Sequence, residues 1–248
     1  MTGQFFAYDY HGAPFVIFSA PHLTALSFLL LLNFGLARFK GASETVRNRV
    51  RISLAVMLWL DESLWHFWNA YHGVWSLEEH LPLHACSLLI WLAGFMLVTR
   101  NYRIYEFVYV LGIGGAFQYL MTPDLGIYGF PHFRFFQALL SHGLLLTSGV
   151  YMTVVEGFRP TWKSLLRVIL WANVYMAIIY PINLLIGSNY LFINAKPATA
   201  SLLDVLPDWP IYIIFMELLG MVTFMILYLP FIIKDWRSKK SMGNTAVA

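Results

Sequence analysis

The chain is laid out as apolar runs about twenty residues long, joined by short polar connections. A helix needs roughly 20 mainly apolar residues to cross a bilayer. Within hydrocarbon only helices and closed barrels satisfy every backbone donor and acceptor. Seven runs fit the helical case: 21–39, 50–72, 81–98, 103–121, 133–155, 163–187 and 210–233. The sequence therefore predicts an all-α polytopic bundle of seven transmembrane helices, one domain over 1–248. Composition agrees, since 12% of the residues are charged and 59% hydrophobic, where a soluble domain is about 25% charged. Too little polar surface remains to face water.

Punctuation supports these limits. Ser19 is placed to cap the first helix and Pro21 suits its first turn. Pro82 is expected to open the third, Thr122-Pro123-Asp124 to stop the fourth, and Pro181 to kink the sixth. Residues 1–20 are aromatic, are interrupted by Gly12 and Pro14, and lack a basic leader, so they read as an interfacial segment and not as a cleavable signal peptide.

Charge placement gives an orientation. Arg38, Lys40, Arg47, Arg49 and Arg51 lie in or beside the first connection. Arg100 and Arg103 lie in the third, Arg159, Lys163 and Arg167 in the fifth, and Lys234, Arg237, Lys239 and Lys240 in the tail. Only Arg134 and Lys196 of the sixteen basic residues fall on the other side. By the positive-inside rule the N-terminus is expected outside and the 234–248 tail in the cytoplasm. The 188–209 connection would be external, and at about twenty residues it is long enough to be a lid or binding loop. No basic block interleaved with aromatics suggests a nucleic-acid surface. Membrane lipids are the expected partners, and no cofactor is expected.

Ionisable groups inside spans usually face the bundle interior and are paired or functional. The second run carries Asp61, Glu62, His66, Asn69 and His72. Glu62, His66 and Asn69 share one helical face, and Asp61, Trp65, Trp68 and His72 the next. They read either as a polar seam between helices or as substrate-binding and proton-handling groups. Glu217 is a lone acid in the last run, with no partner chosen by the sequence.

Cys86 is the only cysteine, so no internal disulfide exists. His84, two positions before it, points about 200° away on a regular helix. A base for the thiol must then come from elsewhere. His142 lies on a stripe with Ala138, Leu145 and Gly149, whose small members allow close helix approach. Cys86 is about 8 Å and His142 about 14 Å from the same bilayer face, at 1.5 Å per residue. An imidazole that deprotonates a thiol lets it attack an acyl carbonyl and form a thioester. Gln118, Gln137 and Asn194 are candidate oxyanion donors. From spacing alone, a lone Cys or a lone His in an apolar helix is more often packed core than part of a site.

The segments LPLHACS (81–87) and HFRFFQALLSHGLLL (132–146), with NYLFINAKP and SLLDVLPDWPIY leading into the last helix, resemble the YwaF family of bacterial integral membrane proteins. The resemblance spans nearly the whole chain, in the family's order. It implies a multi-pass protein of the bacterial cell membrane. That family in turn resembles eukaryotic transmembrane Cys/His acyltransferases of ether-phospholipid remodelling, whose Cys and His match Cys86 and His142. Two positions before the cysteine the eukaryotic motif differs from the His84 found here.

The expected function is acyl transfer from phospholipid or to lysolipid through a Cys86 thioester, with His142 as base. His84, Glu62, His66, Gln137 and Asn194 are the expected substrate contacts. A zinc-dependent intramembrane hydrolase could be built from His80 and His84 with Glu79, His22, His66 or His72, although Pro82 lies between the first pair. A transporter or receptor is the non-enzymatic alternative. A retinal Schiff base in the last helix is excluded, because Lys234 lies at its edge.

Overall fold

The computed structural model describes residues 4–196 and 202–245, with side chains of 202–203 and 238–245 left aside. Residues 1–3 of the expected interfacial segment, 197–201 of the long connection and 246–248 of the tail lie outside the described residues. Among the described residues the chain is all-helical. We number seven helices: α1 Ala20–Gly35, prolonged by a 3₁₀ turn Leu36–Phe39; α2 Glu44–Tyr71; α3 Ala85–Thr99; α4 Tyr102–Met121; α5 Phe133–Val154; α6 Trp162–Ile186; and α7 Ile211–Thr245.

Local chemistry sets most of the boundaries. Ser43 caps α2 by accepting from the Val46 amide, Asn101 caps α4 by accepting from Arg103 and Ile104, and Thr161 and Ser164 form a reciprocal capping box at α6. Gly187 ends α6 at φ 71°, a left-handed conformation that glycine adopts without strain. One expectation shifts: Ser19 stands at the N-cap of α1 but makes no side-chain capping bond. Pro181 lies inside α6.

The third helix departs most from expectation. It begins at Ala85, not at 81. Tyr190 draws the preceding segment out of helix: its hydroxyl accepts from the Leu81 amide at 2.8 Å and donates to the Leu77 carbonyl at 2.7 Å. The Tyr175 hydroxyl donates to the Leu83 carbonyl at 3.0 Å. His84 is extended, with φ −67° and ψ 148°. The helical-wheel relation between His84 and Cys86 therefore does not apply.

α2, α3, α4 and α5 form the centre, with α1 against α5, and α6 and α7 against α4. Leu58 from α2, Met96 and Leu97 from α3, Tyr105 and Ala116 from α4, and Leu145 and Met152 from α5 close the core. Gly149 permits the α4–α5 approach, because a Cβ there would lie 2.7 Å from Ile113 Cγ1. α4 itself carries a π turn over Val108–Gly112, a one-residue widening often found near functional sites.

Four helical stretches are long and apolar enough to cross a membrane by length and composition: Ala20–Phe39, Tyr102–Met121, Trp162–Ile186 and Ile211–Arg237. α2, α3 and α5 are not among them. α3 is shortened to 15 residues, while α2 carries the acid and histidine set and α5 carries Gln137, Ser141, His142, Thr147 and Ser148. The outer helices α1, α6 and α7 leave Leu31, Phe34, Leu184, Leu185, Ile214 and Ile226 exposed. That much exposed apolar surface on long apolar helices suits lipid.

The two ends of the bundle differ in chemistry. At the basic end, Arg51 donates to the Leu97 and Val98 carbonyls and to Asn48. Arg100 reaches Asn48 and pairs with Glu44 and Glu156. Fully buried Glu106 accepts from Ser164 and pairs with Arg167 and Arg103. At the aromatic end, the N-terminal segment is strapped down by its carbonyls. Phe6 O accepts from Trp68 Nε1 at 2.9 Å and from His72 Nε2 at 2.8 Å, Ala7 O from His132 Nε2 at 2.8 Å, and Tyr8 O from the Tyr128 hydroxyl at 3.0 Å.

Two predictions follow from the packing and the strap. Leu145→Ala, in the core, is expected to cost about 2–5 kcal/mol, whereas Leu185→Ala, at 84% exposure, should change stability by less than about 0.5 kcal/mol; denaturation in detergent micelles compares them. Burial holds the His132 imidazole below its ordinary value, with the charges of Arg134 and His72 acting in the same direction and the Ala7 bond against them. The neutral ring is thus the folded form. Its contribution is full above about pH 6.5 and is lost as pH falls through the lowered folded value. Melting temperature should therefore drop between about pH 7.5 and pH 5.5, and drop less in His132→Gln.

Candidate functional site

Cys86 is the second residue of α3, and the extended backbone at His84 leaves that helix start uncapped. No side chain caps it. The first amide to find a partner there is Leu88, which donates to the His84 carbonyl at 3.0 Å. Among the described residues the amides of Ala85, Cys86 and Ser87 donate to no protein acceptor. These are the unpaired donors and the positive dipole end that a helix N-terminus presents to an anion. Cys86 is half-buried and free. A Cβ built on Gly115 of α4 would lie 3.6 Å from its Sγ, at ordinary contact distance.

His142 reaches the same helix one turn further on. Its ring stacks on Tyr119 with centroids 3.6 Å apart and planes 9° apart. Gly115 and Tyr119 are four residues apart on α4, so Cys86 and His142 adjoin one face of that helix from α3 and α5. No hydrogen bond joins them. His142 Nδ1 lies 2.9 Å from the Ala138 carbonyl and 3.1 Å from Ser141 Oγ. A carbonyl only accepts, so Nδ1 carries the hydrogen and Nε2 keeps its lone pair. Among the described residues no protein group bonds that nitrogen.

The other bonded imidazoles have the opposite arrangement. Nδ1 accepts from the Phe18 amide in His22, the Ser76 amide in His80, the Leu191 amide in His84, the Arg134 amide in His132 and the Trp75 indole in His66. Each of these five then carries its hydrogen on Nε2. His72 does so too, donating from Nε2 to Phe6 O. Among the ring-bonded histidines His142 alone offers a basic Nε2. His80 and His84 each have Nδ1 taken by an amide, and among the described residues no group of three or more His, Cys, Asp or Glu side chains is placed to hold a metal ion.

The remaining candidates divide by location. Asp61 and Glu62 are buried. Gln137 Nε2 donates to Asp61 Oδ2 at 3.0 Å, and Gln137 Oε1 accepts from Arg134. Gln137 therefore links two groups and is not a free oxyanion donor. Glu62 Oε1 is buried without a hydrogen bond, 3.9 Å from His66 Nε2. Asn194 accepts from Asn183 at 2.6 Å inside the long connection, where it holds loop shape. That loop reaches the site through His84, whose Nδ1 accepts the Leu191 amide at 3.3 Å and whose ring contacts Tyr190 and Phe192. Gln118 is exposed, and among the described residues Glu217 makes no ion pair. Sequence reading missed Tyr119 and the free amides of α3. The Pro82-Leu83-His84 stretch was the available signal for a late helix start.

Gly115→Leu should place a side chain against Cys86 and slow alkylation of the only thiol by a small uncharged maleimide by about tenfold or more, measured as the labelling rate in detergent. Equal rates would show that the thiol is approached from another side.

No curated protein and no solved structure matches the chain. The sequence model of the TMEM164 family, a transmembrane family, matches residues 17–228, which takes in all of α1–α6 and the first half of α7. With its several long apolar helices the chain is a multi-pass membrane protein and belongs to the TMEM164 family.

Proposed function

We propose that this protein is a membrane-embedded acyltransferase acting on phospholipid and lysolipid, with Cys86 as nucleophile and His142 as base. In this reading seven helices cross a bacterial cell membrane, the N-terminus is outside and the basic end faces the cytoplasm. α2, α3 and α5 cross as the interior of the bundle, shielded from lipid by the apolar outer helices. The observation that carries the reading is the uncapped start of α3 at Cys86, beside the α4 face that also seats a histidine with a free Nε2. The likeness to the YwaF family and to Cys/His acyltransferases supports it.

In the first half-reaction His142 Nε2 takes the Sγ proton and the thiolate attacks an ester carbonyl carbon of the donor lipid. The C–S bond forms and the ester C–O bond breaks. The departing alkoxide receives the proton from His142. In the second half-reaction His142 takes a proton from the acceptor hydroxyl, whose oxygen attacks the thioester; the C–O bond forms, the C–S bond breaks, and His142 returns the proton to the departing thiolate. The free amides of Ala85, Cys86 and Ser87 supply the donors that a tetrahedral oxyanion needs, and the helix dipole favours the thiolate. Such contacts are commonly long without substrate and tighten on binding. His84, Glu62, His66, Gln137 and Asn194 are the proposed surroundings of the substrate, with Gln137 and Asn194 holding the walls in place.

Incubation with radiolabelled phospholipid should yield an adduct on Cys86 that hydroxylamine removes, because thioesters are cleaved where amides survive. Cys86→Ala should lose the adduct and turnover entirely. His142→Ala should lower turnover by about 10²–10⁴-fold, with the melting temperature of each variant checking its fold. Full transfer activity in Cys86→Ala would refute the thioester route.

A further inference from the structure

A second feature of the aromatic end is a cavity of about 310 Å³ whose wall includes Trp65, Trp68, Glu79, Asp124, Tyr128 and Arg134. Arg134 is one of two basic residues outside the basic end, and its environment is unusual for a cation. The guanidinium carbon lies 3.6 Å over the Trp65 ring. Its one side-chain hydrogen bond goes to Gln137 Oε1, although a guanidinium has five N–H donors. Among the described residues it forms no ion pair, and its side chain lines the cavity. Glu79, from the connection after α2, and Asp124, from the connection after α4, are exposed at the same cavity. Neither makes an ion pair or a hydrogen bond among the described residues.

We propose that this vestibule is a binding subsite for a phosphodiester that carries an ammonium group, with Arg134 holding the phosphate and Glu79 and Asp124 the cation. An arginine fork matches phosphate geometry and stays charged at any relevant pH. A free anion would be met by two uncompensated carboxylates as well as by Arg134, and a free cation by Arg134 as well as by the acids. A ligand with both charges satisfies all three, and the aromatic wall suits a quaternary ammonium. The placement rests on the acyl-transfer reading in one respect. Arg134 is bonded to Gln137, which precedes His142 on α5 by five residues, or about 8 Å. That is comparable to the glycerol unit between a lipid's phosphate and its ester carbonyls. The charge arrangement itself does not depend on that reading.

The test uses the full chain in an uncharged sugar detergent. Tryptophan emission, reported from the cavity wall by Trp65 and Trp68, is titrated with glycerophosphocholine, inorganic phosphate, choline and dihexanoylphosphatidylcholine. Glycerophosphocholine should half-saturate at a concentration at least about tenfold below phosphate or choline alone. Arg134→Gln should raise that concentration by about tenfold or more. Because Arg134 also bonds Gln137 and that variant could misfold, the exposed pair Glu79→Gln with Asp124→Asn provides the second arm. It should weaken glycerophosphocholine several-fold and leave phosphate unweakened. Tighter binding of the dihexanoyl lipid identifies a lipid headgroup as the source, and equal binding a soluble phosphodiester; either supports the subsite. Phosphate or choline alone binding as tightly as glycerophosphocholine overturns it, as does a titration unchanged in both variants or no saturable response. Repeating the titration in Cys86→Ala reads headgroup binding with no thioester possible, so failure of the chemistry and failure of the subsite are told apart.

Discussion

Asp61 sits buried in the middle of the central helix, and the arrangement of α5 follows from the need to satisfy it. A carboxyl group removed from water is costly unless its oxygens find donors. Here the donor is Gln137, and Gln137 in turn accepts from Arg134, which lies over Trp65 of α2. α5 is thus fixed to α2 in register as well as in proximity. The same register sets the depth of His142. A polar link that looks structural therefore also determines where the basic nitrogen sits.

The opposite wall of the site is set by interactions far away in sequence. Tyr190 and Tyr175 hold residues 77–83 out of helix by bonding their backbone, and so delay the start of α3 until Ala85. Had the helix started near Leu81, Cys86 would have been a mid-helix residue with its amide bonded one turn back. Starting late puts it at the open end, where three amides have no acceptor among the described residues. The connection containing Tyr190 is the same one whose Leu191 amide meets His84. The long loop therefore helps shape the site through His84.

The aromatic end is closed by carbonyls of the N-terminal segment, gripped by Trp68, His72, Tyr128 and His132. In each case a ring that is largely apolar presents one polar atom, the usual role of such residues at a membrane interface. Between the strap and the helix ends lies the cavity with Arg134, Glu79 and Asp124. Ordered polar contacts thus occur at both ends and along the α2–α5 seam, and apolar packing fills the rest of the centre.

Much of this was legible in the sequence because it depends on local pattern. Run length and hydropathy determined that the chain is helical and membrane-embedded, and placed most helix ends within a few residues. The one-sided spread of basic residues marked the basic end, and the acid and histidine set of the second run marked α2 as interior. His142 stood out by its small-residue stripe. What the sequence could not decide depends on partners distant along the chain. The late start of α3 is imposed by tyrosines about a hundred residues away, and no local rule contains them. The tautomer of His142 follows from its bond to Ala138 and the absence of any partner on Nε2, which only packing reveals. Arg134 read as a stray external charge, and became a candidate anchor only when two connections brought acids to the same cavity. Sequence determined the solvent this chain needs, because that depends on composition summed over each helix. Tertiary structure decided the chemistry, because reactivity depends on which few polar atoms are left without a partner.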